Sequence, residues 1–270
     1  MTDANPPRLV ELLSPPSGLI ALAARHVESG RAWRHHEHRP LPSASLIKLP
    51  ILAAFWEGVE AGCLDPTERV SVPAEARVEG TGVLKALAPG LQPTWSDLAT
   101  LMITVSDNVA TNLVIDRLGM DAIQAWIDKA GLAETRLERR MMDRAAMSAG
   151  RGNWTSAADI QTLLSAIAAG TCVSSEASRQ MRRILEAQQF QDRLPRRLPE
   201  GARVANKTGN FADVIHDAGI VALPGGTLVI AVLTQGVRPA WQAMDAIADI
   251  TAVLAQGGAE SGGAADRVSG

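Results

Sequence analysis

Apolar positions along the chain change period twice, and the order of those changes predicts the architecture. Residues 18–42, "GLIALAARHVESGRAWRHHEHRPLP", hold two extended runs split by the turn-forming "VESGR", so a β-hairpin is expected. From Ser45 the pattern becomes helical. "SLIKLPILAAFWEGVEAG" is apolar nearly all round, as a buried central helix requires, and Gly62 is placed to cap its end. Pro50 falls in the first turns, where it is tolerated or kinks the helix. Residues 95–104, 108–118 and 120–130 repeat the helical spacing with short connections. Periodicity lapses over 133–154, which predicts a long structured loop ending in "SAGRGN". "TSAADIQTLLSAIAAG" restores it, with Thr155 as the expected cap, and 175–190 predicts one more helix.

Strand character returns in "ARVANKTG", "DAGIVALP" and "GTLVIAVLTQG", with "LPGG" as a hairpin turn, before a closing helix "AWQAMDAIADITAVLAQ". The expected fold class is α/β. One antiparallel sheet is built from both chain ends (about 18–44 and 200–256), flanked by helices, with an inserted all-helical lobe over about 45–199. Residues 18–256 then form a single domain, preceded by an arm or short helix over 1–17. The Gly/Ala/Ser-rich stretch 257–270 is expected to be disordered. A cleft between the lobes is the default site.

Composition narrows the choice of function. A hydrophobic fraction of 46% with 20% charged residues allows a sizeable core. A net charge of −3 and a pI near 6.0 give no basic surplus for nucleic acid or an anionic membrane. No apolar run reaches membrane-spanning length. "MTDANPPRLVELLSPPSG" has no basic n-region or apolar core, so a cytoplasmic, monomeric protein acting on a small molecule is expected. A start codon placed too far downstream would change that to periplasmic or secreted. Cys63 and Cys172 allow one disulfide that nothing in the spacing calls for, and neither belongs to a metal-spaced pair. His35, His36 and His38 lack a partner at ligand spacing and read as the solvated face of an outer strand. No metal or cofactor is expected.

Three short motifs carry the chemistry. Ser45 and Lys48, three apart at a helix start, share a helix face, where a buried Lys would lose part of its preference for charge. Alone, the pair reads better as a helix starter beside a Lys whose head reaches water. Ser106–Asp107–Asn108 is equally an N-cap, and Lys207–Thr208–Gly209 equally a strand-end turn. In this order, with 61 positions from Ser45 to Ser106 and 101 from Ser106 to Lys207, they are specific.

Together with "LMITVSDNVATNLVIDRLG" and "NKTGN", they resemble the penicillin-recognising serine hydrolases, specifically the class A β-lactamase-like family, from about Gly18 to about Gln256. The resemblance implies Ser45 as nucleophile, Lys48 as its base with Lys207 repelling the Lys48 proton, and Ser106 as relay to the leaving nitrogen. It also implies Asn108 holding Lys48 and the substrate amide, and Lys207 with Thr208 binding a substrate carboxylate. Gly209 would permit close backbone approach, and the N–H groups of Ser45 and Asn210 would form the oxyanion hole.

The pattern breaks on the long loop. Family β-lactamases carry there a Glu, within an acidic–Arg–x–Glu pattern, that activates the deacylating water. Aligning "TRLER" puts Met141 or, one position on, Met142 in its place, and Ala145 or Ala146 in place of a water-holding Asn. Asp143 is a substitute base or a salt-bridge partner of Arg139, Arg140 or Arg144, the latter favoured. The family's carboxylate-binding Arg is missing from its strand, leaving His216 and Arg238 as candidates. No Tyr exists to stack at the cleft mouth, where 80–87 would lie. The expected activity is a β-lactamase-type serine hydrolase, with a DD-peptidase-like amidase or esterase, or an acylation-only β-lactam binder, as alternatives.

Overall fold

The computed structural model describes residues 5–257; the expected disordered tail lies almost wholly outside them. Five strands form one antiparallel sheet in the order β2-β1-β7-β6-β5: β1 (Leu19–His26), β2 (Ala32–His35), β5 (Arg203–Phe211), β6 (Val214–Leu223) and β7 (Gly226–Gln235). Both ends of the chain therefore build it, as expected. Strand β2 is an outer strand, but of the three His only the half-buried His35 lies on it, while the exposed His36 and His38 follow its end. A two-residue pair, β3 (Leu41–Pro42) with β4 (Trp154–Thr155), pins the long loop to the segment before Ser45.

The sheet is buried on both faces, which explains its near-continuous apolar sequence. Period-2 alternation divides it cleanly. Ala21, Ala23, Val229, Ala231 and Leu233 face one core, and Ile20, Leu22, Ala24, Leu228, Ile230 and Val232 face the other. The second core is closed by α1 (Pro7–Leu12) and α9 (Ala240–Gly257), with Leu9 fully buried against it. The first core is closed by the helical lobe: α2 (Lys48–Glu60), α3 (Trp95–Thr104), α4 (Asn108–Leu118), α5 (Met120–Lys129), α6 (Arg144–Ser148), α7 (Ala157–Ala169) and α8 (Ser175–Glu186).

Helix α2 is buried from Lys48 to Trp56, and Gly62 beyond its end takes φ +70, as a helix-ending glycine does. Pro50 stands in its first turn, where a missing N–H costs nothing. Two expectations shift. The cap of α7 is Ser156, whose side chain accepts from Asp159 N, not Thr155, whose hydroxyl pairs with Thr135. Helix α8 ends at Glu186 rather than 190, because Gln188 turns inward and donates to Ile103 O and Asn206 O. Both cysteines are free, Cys63 exposed and Cys172 buried, so no disulfide forms.

Candidate active site

Strand β5, at the sheet edge, lies beside the 3₁₀ turn Ala44–Ile47 that leads into α2. Ser45 sits on that turn, which Ala44 enters at φ +45. Lys48 is fully buried one turn on. Its Nζ donates to Ser106 O (2.7 Å), Ser106 Oγ (3.0 Å) and Asn108 Oδ1 (2.9 Å). From β5, the equally buried Lys207 Nζ donates to Ser106 Oγ (3.1 Å) and Thr208 O (2.7 Å). Ser106 Oγ in turn donates to Ser45 Oγ at 2.9 Å. One hydroxyl thus joins two amines to Ser45. The Ser45–Lys48 spacing suggests direct pairing, but the hydrogen-bonded path runs through Ser106.

Burial pushes the Lys48 amine well below its ordinary range, and repulsion from Lys207 adds to this, while Asp107 pulls the other way. Burial also lowers Lys207, to about 7, with Asp217 opposing and Arg193 assisting. A Lys in this range can hold or release a proton near neutral pH. Ser106 itself sits at φ +55, a costly conformation for a residue with a Cβ.

Asp107 holds that conformation from below. Its Oδ1 accepts from Ala110 N (3.0 Å), capping α4, and its Oδ2 accepts from Val83 N (2.6 Å) and Leu84 N (2.9 Å). Thr81 Oγ1 donates to Ser106 O (2.6 Å), and Asn108 Nδ2 donates to Glu79 O (3.1 Å). Gly80 and Gly82, at φ +90 and +111, bring this loop so close that an added Cβ would strike Asn108 Nδ2 and Asp107. Segment 79–84 therefore forms the cleft wall. The sequence placed 80–87 there, but the role of Thr81 was not legible.

The cleft has two arms that meet at Ser45, Thr81 and Asn210. The smaller, about 220 Å³, is lined by Ser106, Thr208, Arg193, Phe190 and Met244 among others. The larger, about 450 Å³, runs under the long loop past Met141, Met142, Met147, Phe211, Arg139 and Arg151.

Residues 8–257 match the family model described as the beta-lactamase enzyme family. The chain belongs to this family. A β-lactamase from Sphaerobacter thermophilus shares 33% identity with a TM-score of 0.87, covering 93% of this chain and 95% of that one. PBP-A shares 29% identity at TM-score 0.85 over 93% of this chain and 94% of that one, and a point variant of PBP-A was determined as an acyl-enzyme complex with penicillin G. β-Lactamase CARB-4 of Pseudomonas aeruginosa is 23% identical over 197 residues, 72% of this chain and 68% of its own.

Within this β-lactamase family framework, several sequence expectations change. Asp143 is neither bridged to an Arg nor free. It caps α6, its Oδ1 accepting from Ala146 N at 2.9 Å, while Arg140 pairs with Asp116 and Arg144 with Glu79. The buried Met141 is fixed by Asn112, which accepts from Met141 N (2.8 Å) and donates to Met141 O (3.1 Å). Met142 follows at φ +59. The described residues lining the larger arm include no carboxylate.

His216 does not reach the cleft as an anion binder. It is fully buried, its Nδ1 accepting from Thr234 N (3.0 Å), so that Nε2 donates to Pro42 O (2.9 Å). Burial lowers it to about 4, well below the ordinary imidazole range. Arg238 lines a separate hollow with Pro239 and Asp213. The guanidinium that does line the smaller arm is Arg193, 4% exposed, with Nη1 donating to His216 O (2.6 Å) and Gly209 O (3.2 Å). It lies after α8 in "QDRLPRR", and no spacing relative to "KTG" marks it. Gly209 makes room for Ala44 and His216, which an added Cβ would meet at 3.3 Å.

Proposed function

We propose that the protein is a serine acyl-transfer hydrolase that attacks a β-lactam or related amide with Ser45 and releases the acyl group slowly. The observation that carries it is the position of Ser106 Oγ, 2.9 Å from Ser45 Oγ and within 3.1 Å of both buried amines. In acylation, the Ser45 Oγ–carbonyl bond forms and the C–N bond breaks. The Ser45 proton passes through Ser106 to an unprotonated Lys48 and returns by Ser106 to the leaving nitrogen. The N–H groups of Ser45 and Asn210 stabilise the oxyanion. Asn108 positions Lys48 and the substrate amide. Thr208, Lys207 and Arg193 take the leaving group's carboxylate.

Because Ser106 lies in the smaller arm, the leaving group occupies that arm and the acyl group the larger one. There the position expected for a water-activating carboxylate is held by Met141 or Met142, both of which line the arm, and a thioether cannot act as a base. The same thioether floor supports a second reading, a DD-peptidase-like amidase or esterase that turns β-lactams over poorly.

Intact-protein mass, followed over time with benzylpenicillin, tests both steps. The expected result is one rapid adduct that persists, absent in Ser45→Ala and formed roughly 10²–10⁴-fold more slowly in Lys48→Ala. An adduct surviving Ser45→Ala overturns the nucleophile. Fast product with little adduct overturns slow release.

A further inference from the structure

The larger arm combines apolar and cationic walls in a way the acylation chemistry does not use. Met141, Met142, Met147 and Phe211 supply soft, adaptable surface. Arg139 and Arg151 line the same cavity. The Arg139 guanidinium lies 5.6 Å from the Phe211 ring centroid. Its Nη1 donates to Arg140 O at 3.1 Å, and its Nε is buried without a hydrogen-bond partner. Burial costs this cation part of its hydration, and nearby Asp143 offsets that only through space.

Arg151 is exposed, and among the described residues its side chain makes no hydrogen bond or ion pair. The two acids nearest in the loop are committed to backbone: Asp143 accepts from Ala146 N, and Glu138 accepts from Gly152 N at 2.8 Å. Both acids keep their charge, but neither lines the arm, whereas the two arginines do and have unused donors, so the lining itself is cationic and suits an anion.

We propose that the larger arm is an acyl-side subsite for a substrate whose acyl chain runs over the methionines and ends in a carboxylate held by Arg139 and Arg151. This rests on the reading of Ser45 as nucleophile for its sidedness, not for the existence of the anion site. The substrate would then carry an anion at each end, one toward Lys207, Thr208 and Arg193 and one toward the loop. An exposed pair of this kind weakens with salt.

The test compares two penicillins of equal side-chain length, the adipoyl and hexanoyl amides of 6-aminopenicillanic acid, which differ by a terminal carboxylate against a methyl. Their dissociation constants are measured by calorimetry on Ser45→Ala, and their adducts by mass on the wild type. The expected result is adipoyl binding roughly tenfold tighter, as a charge-assisted hydrogen bond supplies, with the ratio shrinking at high salt. In Arg139→Gln and in Arg151→Gln the ratio falls toward one. Arg139 also braces the loop through Arg140 O, so the exposed Arg151→Gln keeps the test valid if the former unfolds.

Equal binding of the two probes, or binding of neither, overturns the subsite. A ratio unchanged in a folded Arg151→Gln removes Arg151 from it. Discrimination on Ser45→Ala with neither adduct nor released product from the wild type supports the subsite and overturns the reading of Ser45 as the nucleophile toward penicillins instead.

Discussion

Met141 is 7% exposed, and its backbone is clamped by both polar ends of Asn112, so a side chain at this position reaches the acyl arm from a fixed stem. A carboxylate there would face a cavity lined by Arg139 and the bound acyl group, where it could take a proton from water. Met141→Glu is expected to shorten the life of the penicillin adduct by roughly 10²–10⁴-fold while leaving the rate of its formation within a few-fold. Intact mass after rapid removal of free penicillin measures both. An unchanged lifetime in a folded variant would show that Met141 is not beside the hydrolytic water's path. The motif residues Ser45, Lys48, Ser106 and Lys207 were legible because proton transfer demands fixed residue types in recognisable triplets. Arg193 was not, because a guanidinium can reach a carboxylate from any strand or loop end within several ångströms, and no spacing rule records the approach. The choice between His216 and Arg238 stayed open for a related reason: the sequence around His216 shows the strand but not the Thr234 N–H and Pro42 O that occupy both ring nitrogens.

Among the elements, the helical lobe positions the chemistry through α4, and Asp107 joins its N-terminus to the cleft wall. Three N–H groups depend on this one carboxylate, from Ala110, Val83 and Leu84. Asp107→Ala removes a helix cap and strands donors that are partly or wholly buried, a loss of about 3 kcal/mol on unfolding. It should also slow acylation, because Thr81 and the φ +55 turn at Ser106 lose their support. Asp107→Asn retains an oxygen for the cap and should recover part of the stability. Denaturant midpoints with adduct rates check both, and an Asp107→Ala protein of wild-type stability would refute the account. The helices themselves were legible, since 3.6-residue periodicity and short connections fix their limits at α3, α4 and α5. The end of α8 was not, because the inward turn of Gln188 answers to carbonyls on α3 and β5 rather than to local sequence.

At the scale of the whole molecule, strand β6 carries a titratable pair through the middle of the sheet, and its two members oppose each other with pH. His216 is lowered by burial to about 4, so below the ordinary 6.5 the unfolded chain binds a proton that the folded one refuses. Its contribution to stability is therefore present above 6.5 and lost as pH falls through that window toward 4. Asp217, beside it, is raised by burial to about 6 despite hydrogen bonds from Asn206 and Leu194 and the attraction of Arg193 and Lys207. The folded chain keeps the Asp217 proton where the unfolded chain has lost it, so this contribution is present below the ordinary 3.8 and lost as pH rises through about 6. Each shift corresponds to about 3 kcal/mol, and over pH 4–6 the two cancel. Lys207, lowered to about 7, adds stability as pH rises from 7 toward 10.5, where the unfolded amine still holds its proton. Asp217→Asn should uncover the His216 slope: its unfolding free energy, relative to wild type, should rise by about 3 kcal/mol between pH 4 and 6. Denaturant titrations of both proteins at half-unit pH intervals measure that difference directly. A constant difference across the interval would mean that the Asp217 carboxyl titrates alike in the folded and unfolded chains, and that the sheet holds it ionised through its contacts with Asn206, Leu194, Arg193 and Lys207.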